Sequence, residues 1–387
     1  MKKFLTLIAI LLCITPAICL AGKASSDSKE STVEAGLSDE SAPETTEETP
    51  RFKFLSKKPK NLLLVPIPTS NPTFGTGLIL GGAYFYPQTE AQKEAQPASF
   101  TGAAAGYTSN ESWFAGVMQQ NYWKDDTWRF TGVAAYLDLK LDLIPTGSDD
   151  HAGKSADWLV NGPIFQARIS RKLRGNWYMG VSGRYLDIAQ AIGMDIEDED
   201  EDFNIEAETK ALGVGVHLDY DSRDQPTNAF QGRYLELKAI GSYVSESEAD
   251  NYQSYHARFR SYHPLRDNLV LAWEVNGCSR GGQVPLWDTC RLGLRGFPAT
   301  DYLGKQSLYA QAELRWRIYK KWGMVGFAGA GRMNETLGRY GEDETIPSYG
   351  LGIRFMVMES QRINVRVDYA RSDKGNAAWY LSVTEAF

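Results

Sequence analysis

The chain has 387 residues, 43% hydrophobic and 23% charged, with a net charge of −7 and a mean hydropathy of −0.37. The acidic balance gives no support to a nucleic-acid partner, and beyond Ala21 no run of about 18 consecutive apolar residues exists, so no transmembrane helix is expected. Aromatic residues at 12% and 36 glycines suit strands and tight turns. The low hydropathy is compatible with a membrane barrel, because only alternate strand residues would face lipid.

In chain order, residues 1–21 read as an export signal. Lys2 and Lys3 form a basic start, Phe4 to Ile18 is mostly apolar, and Cys19-Leu20-Ala21 places small residues at the −3 and −1 positions of a cleavage site. Residues 22–60 read as a disordered acidic linker, with eight acidic residues against Lys23 and Lys29 over 22–50. The remainder, 61–387, has period-two patterning. Leu212, Val214, Val216, Leu218 and Tyr220 alternate with Gly213, Gly215, His217, Asp219 and Asp221; Leu308 to Ile318 and Ile363 to Tyr369 alternate in the same way.

Sixteen strands are predicted, at 62–69, 76–86, 98–108, 111–123, 127–140, 159–172, 176–190, 207–221, 231–245, 251–265, 268–278, 306–319, 323–334, 348–358, 361–371 and 376–387. Each approaches or exceeds the roughly 9–11 residues that a tilted strand needs to cross the hydrocarbon layer. Connections after even-numbered strands are mostly tight, as at Lys124-Asp125-Asp126, Arg174-Gly175, Lys320-Lys321 and Glu359-Ser360, with 87–97 an exception. The very long ones, 141–158, 191–206, 279–305 and 335–347, all follow odd-numbered strands. Short periplasmic turns and long external loops are the asymmetry of a bacterial outer-membrane barrel. Aromatics near strand ends (Tyr84, Phe85, Tyr86, Trp123, Trp128, Trp177, Tyr178, Trp322) fit interfacial girdles. The fold class is therefore an all-β, sixteen-stranded antiparallel transmembrane barrel, placed in the outer membrane of a Gram-negative bacterium.

Two motifs go beyond this grammar. Asp221-Ser222-Arg223-Asp224-Gln225-Pro226 runs to Gly232 before the ninth strand, and Leu294-Arg295-Gly296-Phe297 lies in the longest loop. With the opening Pro66 to Gly82 and the closing Arg366 to Phe387, they resemble the bacterial surface antigen barrel of the BamA/TamA superfamily. The resemblance covers most of 61–387 and, as the linker is too short for one, no periplasmic POTRA domain. It implies that the sixth external loop folds into the lumen, where Arg295 pairs with an acid, Glu313 on the twelfth strand being the expected partner. A guanidinium in a lumen needs such a partner. Gly296 would allow close backbone approach and Phe297 would anchor in a cleft. The family often carries a second acid on the thirteenth strand, where this chain has Gly329; Asp368 is the substitute. The terminal Phe387, on the alternating run Trp379, Leu381, Val383, Glu385, resembles the signal by which bacterial barrels are recognised for assembly, with Glu385 a departure on the apolar side.

Cys278 and Cys290 remain in the mature chain, and an even count in an oxidising compartment favours a disulfide over two free thiols. His217 and Asp219 share a strand face, yet no serine or metal motif accompanies them, and a polar lumen wall explains them better. Gly75-Thr76-Gly77 and Gly329-Ala330-Gly331 sit in strand context and read as close packing rather than phosphate loops. The acidic run Asp195 to Asp202 could offer carboxylates to divalent cations, but a solvated loop is the commoner outcome. No catalytic residue, metal site or cofactor is assigned, and the protein is not expected to be an enzyme. Expected contacts are outer-membrane lipid and lipopolysaccharide, with the barrel assembly machinery or a periplasmic accessory protein as partner. The functional expectation is assistance to protein or lipid insertion or translocation; the alternative is a passive pore or structural surface antigen.

Overall fold

The computed structural model describes residues 61–143, 154–196, 203–245, 250–336, 345–359, 362–372 and 377–387. The export signal, the acidic linker up to residue 60 and most of the acidic run at 195–202 lie outside the described residues.

The wall consists of β1 (Leu62–Asn71), β2 (Gly75–Phe85), β3 (Phe100–Thr108), β4 (Trp113–Trp123), β5 (Trp128–Leu143), β6 (Lys154–Arg174), β7 (Trp177–Ile196), β8 (Phe203–Asp221), β9 (Gly232–Ser245), β10 (Tyr252–Arg266), β11 (Leu269–Gly282), β13 (Leu303–Tyr319), β14 (Trp322–Thr336), β15 (Ile346–Met358), β16 (Ile363–Ser372) and β17 (Ala377–Val383). Each pairs antiparallel with its neighbours, β11 joins β13 directly, and β1 meets β17 to close the barrel. The two-residue strand β12 (Cys290–Arg291) belongs to the sixth external loop and pairs with the outer end of β13. The sixteen predicted strands thus match the sixteen wall strands.

Period two works because an antiparallel strand sends successive side chains to opposite faces. On β8, Leu212, Val214 and Val216 point outward and are half or more exposed, while His217 and Asp219 point inward and are buried. A ring of such exposed apolar side chains around the wall, far more than a soluble monomer shows, is a lipid-facing band. The tight turns use left-handed backbone at Lys124, Asp125, Asp126, Gly175 and Lys320, which closes hairpins with few residues. The exceptional connection at 87–97 holds a single helical turn, α1 (Glu90–Ala95). Thr89 and Gln92 cap it reciprocally, a Thr-x-x-Gln box present in the sequence but not read there.

Three details depart from the sequence reading. First, β5, β6, β7 and β8 are 16 to 21 residues long, so the long loops between them shrink. Above the lipid-facing band the alternation continues with its sense inverted. Leu137, Leu139, Leu141, Trp158, Val160, Leu186 and Ile188 turn inward and are essentially fully buried. With Phe74, Phe114 and Trp287 they fill the outer end of the lumen with an apolar core. Second, Phe85 and Tyr178 are not girdle residues: Phe85 packs inward against Phe100, and Tyr178 faces inward, stacks 3.7 Å from the Arg129 guanidinium and donates to Asp126. Third, the last strand stops at Val383, not Phe387. Thr384 takes a left-handed φ of 74° and its N–H reaches the Asn364 carbonyl, turning the chain into the lumen. Glu385 therefore lies inside, bonded to Arg354 at 2.7 Å and to Asn364 at 2.5 Å, which removes the anomaly of an acid on the lipid face. Phe387 is buried against Ala229, Tyr262 and Ala272, so its ring is not displayed on the outer wall.

Candidate functional site

The sixth loop enters the lumen and is held there at four levels. Outermost, the disulfide Cys278–Cys290 ties it to β11, with the two Cα atoms 5.7 Å apart. Next, Asp288, in a short 3-10 turn, accepts from Arg184 at 2.5 Å and from Tyr252 at 2.7 Å, and Arg280 donates to its carbonyl at 2.7 Å. Burial alone would raise this carboxyl, but the guanidiniums of Arg184 and Arg280 outweigh it and hold Asp288 well below the usual carboxylate range.

Below this, Leu292 and Leu294 lie against β14. A Cβ at Gly329 would come within 3.0 Å of Leu294, and one at Gly331 within 2.7 Å of Leu292. The Gly-Ala-Gly run is therefore a smooth face for the loop, and an acid at position 329 would not fit. Arg295 donates to Glu313 at 2.5 Å and to Asp368 at 2.7 Å, with its guanidinium 3.5 Å from the centre of the Phe327 ring. Gly296 has a φ of 114°, its N–H donates to the Tyr380 hydroxyl at 2.8 Å, and a Cβ there would meet the Arg371 carbonyl carbon at 2.9 Å. Only glycine tolerates both constraints. Phe297 is buried edge-on to Tyr302, with ring centres 4.5 Å apart.

The pairing does not end at the two acids. Glu313 also accepts from Arg315 at 2.9 Å, and Asp368 from Arg354 at 2.5 Å and Arg366 at 3.1 Å. Arg354 continues to Glu385, and Arg315 to the main-chain oxygen of Phe387 at 2.7 Å. Loop and inturned C-terminal segment are thus two ends of one buried ionic network. The sequence points to Arg295, Glu313 and Asp368 through the family motif; Arg354, Arg366 and Glu385 carry no such signature.

The second motif forms a floor at the other end of the lumen. Asp221 holds Arg223 through two bonds of 2.9 Å, and Arg223 donates to the Pro226 carbonyl at 3.2 Å. Asp224 accepts from the N–H of Phe230 at 3.0 Å and pairs with Arg362 at 2.6 Å, six strands further round the wall. Gly232, with a φ of 104°, lets the chain pass Ser222, whose carbonyl would lie 2.2 Å from an added Cβ. Ala229 on this loop packs against Phe387.

The seam between β1 and β17 is the weakest join in the wall. Its ladder has a single registered pair, Ser70↔Leu381, against ten between β1 and β2. Ser70 lies at the outer end of β1, so residues 62–69 run below the last ladder pair, roughly 26 Å of strand at about 3.3 Å per residue. The sequence explains part of this. The N–H of Phe85 bonds the Asn61 carbonyl, so in an alternating ladder the odd residues of β1 bond β2 and the even ones face the seam. Pro66 and Pro68 are both even, and neither can donate. That signal was legible and not read.

His217 and Asp219 do not act together. His217 Nε2 lies 2.7 Å from Ser170 Oγ, whereas Asp219 pairs with Arg168. Among the described residues no group of three or more His, Cys, Asp or Glu side chains is arranged to hold a metal.

No protein-family model and no curated protein sequence matches the chain. Its fold is nevertheless shared with solved structures. BamA from Haemophilus ducreyi lacking POTRA domains 1-3 superposes with a TM-score of 0.56 at 11% identity, over 85% of this chain and 71% of that one. CdiB from Escherichia coli gives 0.53 at 11% and CdiB from Acinetobacter baumannii 0.52 at 12%. The chain spans 64% and 59% of the length of those two proteins. The likeness to a BamA-type barrel read from the two motifs is thus found in the fold.

Proposed function

We propose that this protein is an outer-membrane barrel that passes protein or lipid between its lumen and the membrane through the seam between β1 and β17, by movement rather than by chemistry. The observation that carries this reading is the seam itself: one ladder pair, two prolines aimed at the gap, and a C-terminal segment drawn inward by Arg354. An edge left unpaired in a membrane is costly unless something uses it. The apolar core at the outer end of the lumen and the inserted loop argue against the rival, a passive pore. On this reading the wall contacts membrane lipid and lipopolysaccharide, and a periplasmic accessory protein or the barrel assembly machinery delivers the cargo.

The test is to lock the seam. Cysteines replacing Pro68 and Val383, which would face each other if the ladder continued two pairs below Ser70↔Leu381, should crosslink under oxidation in cells. The locked protein should reproduce the phenotype of a strain lacking it, and a reductant should reverse this. Unchanged function with a fully formed crosslink would overturn the seam reading.

A further inference from the structure

At the short-turn rim, which is the periplasmic one on the reading above, the ends of β13, β14 and β15, the turn before β16 and Phe230 of the floor loop enclose an open cavity of about 750 Å³. Its lining carries Arg317, Lys320, Lys321 and Arg362 against one carboxylate, Glu359. This concentration of positive charge occurs in a chain whose net charge is −7. Two of the cations have only weak or partial partners: Lys321 lies 3.5 Å from an exposed Glu359, and Arg317 reaches only the Asp267 carbonyl at 3.3 Å. Arg362 is taken up by Asp224. Lys320 stands in the left-handed region with a φ of 46°, beside a second lysine, where a hairpin would be better served by Asn or Gly. Neither turn geometry nor like-charge repulsion favours Lys-Lys at this position.

The surroundings say what would. Tyr319 and Trp322 border the cavity and are more than half exposed on the wall, as aromatic residues are where lipid meets water. Above them Ile318, Met324 and Ile353 present an apolar strip to the lipid. Cations at headgroup depth, an aromatic collar and an apolar wall above are complementary to one amphiphile, with a negative head and acyl chains. We infer that this cavity binds the headgroup of an anionic phospholipid from the periplasmic leaflet, with its chains laid along β13, β14 and β15. The site lies away from the seam and does not depend on passage through it.

The test uses the full-length purified protein and native mass spectrometry after exchange into mixed micelles of phosphatidylcholine with phosphatidylglycerol. Phosphatidylglycerol should be retained in preference to phosphatidylcholine. Replacing both lysines, Lys320→Gln with Lys321→Gln, should weaken its retention by roughly fivefold per lysine, the effect of one cation near an anionic surface. Lys124→Gln, in a different turn of the same rim, should change it less than twofold. Heat-modifiability on gels confirms that each variant is folded. Equal retention of the two lipids, or no change in the double variant, overturns the site. Displacement by excess inorganic phosphate alone overturns the lipid in favour of a free-phosphate site.

Discussion

Replacing Arg295 with alanine removes two charge-assisted hydrogen bonds, to Glu313 and Asp368, and the contact with the Phe327 ring. Each such bond contributes about 1.5–3 kcal/mol, so the ceiling is about 6 kcal/mol. The structure argues for the lower half of that range, because neither acid is stranded: Glu313 keeps Arg315, and Asp368 keeps Arg354 and Arg366. Arg295→Ala should therefore cost about 3 kcal/mol. Asp368→Asn should cost more, about 5 kcal/mol, since three guanidiniums converge on that fully buried carboxylate and would be left with too few anions. Because both changes break the Arg295–Asp368 bond, the double variant should fall short of the sum by at least about 1 kcal/mol. Urea unfolding in detergent, read by tryptophan fluorescence, measures all three. Equal or near-zero costs, or strict additivity, would refute the network.

The other predictions concern the loop and the lumen. The pair Cys278→Ser with Cys290→Ser should lose on the order of 3 kcal/mol if the bond acts by closing a loop of this size, read by the same unfolding measurement; an unchanged midpoint would refute the tether. Asp288 has a native pKa below its unfolded value of about 3.9, so its stabilising effect is complete above that value and is lost as pH falls through the native one. Acid titration of the fold should show a component in that acid range that Asp288→Asn abolishes, and no matching change on the alkaline side. In planar bilayers the native barrel should give small or flickering conductance, increased by deleting Leu294 to Phe297; a large steady conductance in the native protein would restore the pore.

How much of this was legible in the sequence depends on which physical rule wrote it. The lipid-facing halves of the strands were, because lipid outside and a polar lumen inside impose an unambiguous period of two, as at Leu212 to Tyr220. The outer halves of β5 to β8 were not. There Leu137, Leu139 and Leu141 still alternate with Asp138 and Lys140, but water lies outside and the apolar core inside, so the same pattern carries the opposite meaning. Periodicity gives a face; it does not say which solvent the face meets. The end of the chain misled for a related reason. Trp379, Leu381 and Val383 alternate with Tyr380 and Ser382 in the sequence, and extending the run to Phe387 follows naturally. The left-handed turn at Thr384 is set by partners remote in sequence, Asn364, Arg354 and Arg315, which no local pattern announces.

Those remote partners also link the two features on which function rests. Glu385 and Phe387 are drawn off the wall by Arg354 and Arg315, and both arginines share acids with Arg295 of the inserted loop. If the C-terminal segment instead continued as strand, β17 could extend its ladder along β1 below Ser70, toward the level where Pro66 and Pro68 withhold their donors. The ionic network therefore opposes closure of the seam from one side and the prolines oppose it from the other. Loss of the loop clamp should accordingly be felt at the seam: in Arg295→Ala the partners of Glu313 and Asp368 redistribute, and the hold on Glu385 changes with them. Crosslinking between cysteines at 68 and 383, measured in the Arg295→Ala background, reports this directly. A rate of bond formation at least severalfold above that in the unaltered loop is expected, and an unchanged rate would mean that loop and seam are neighbours without being coupled.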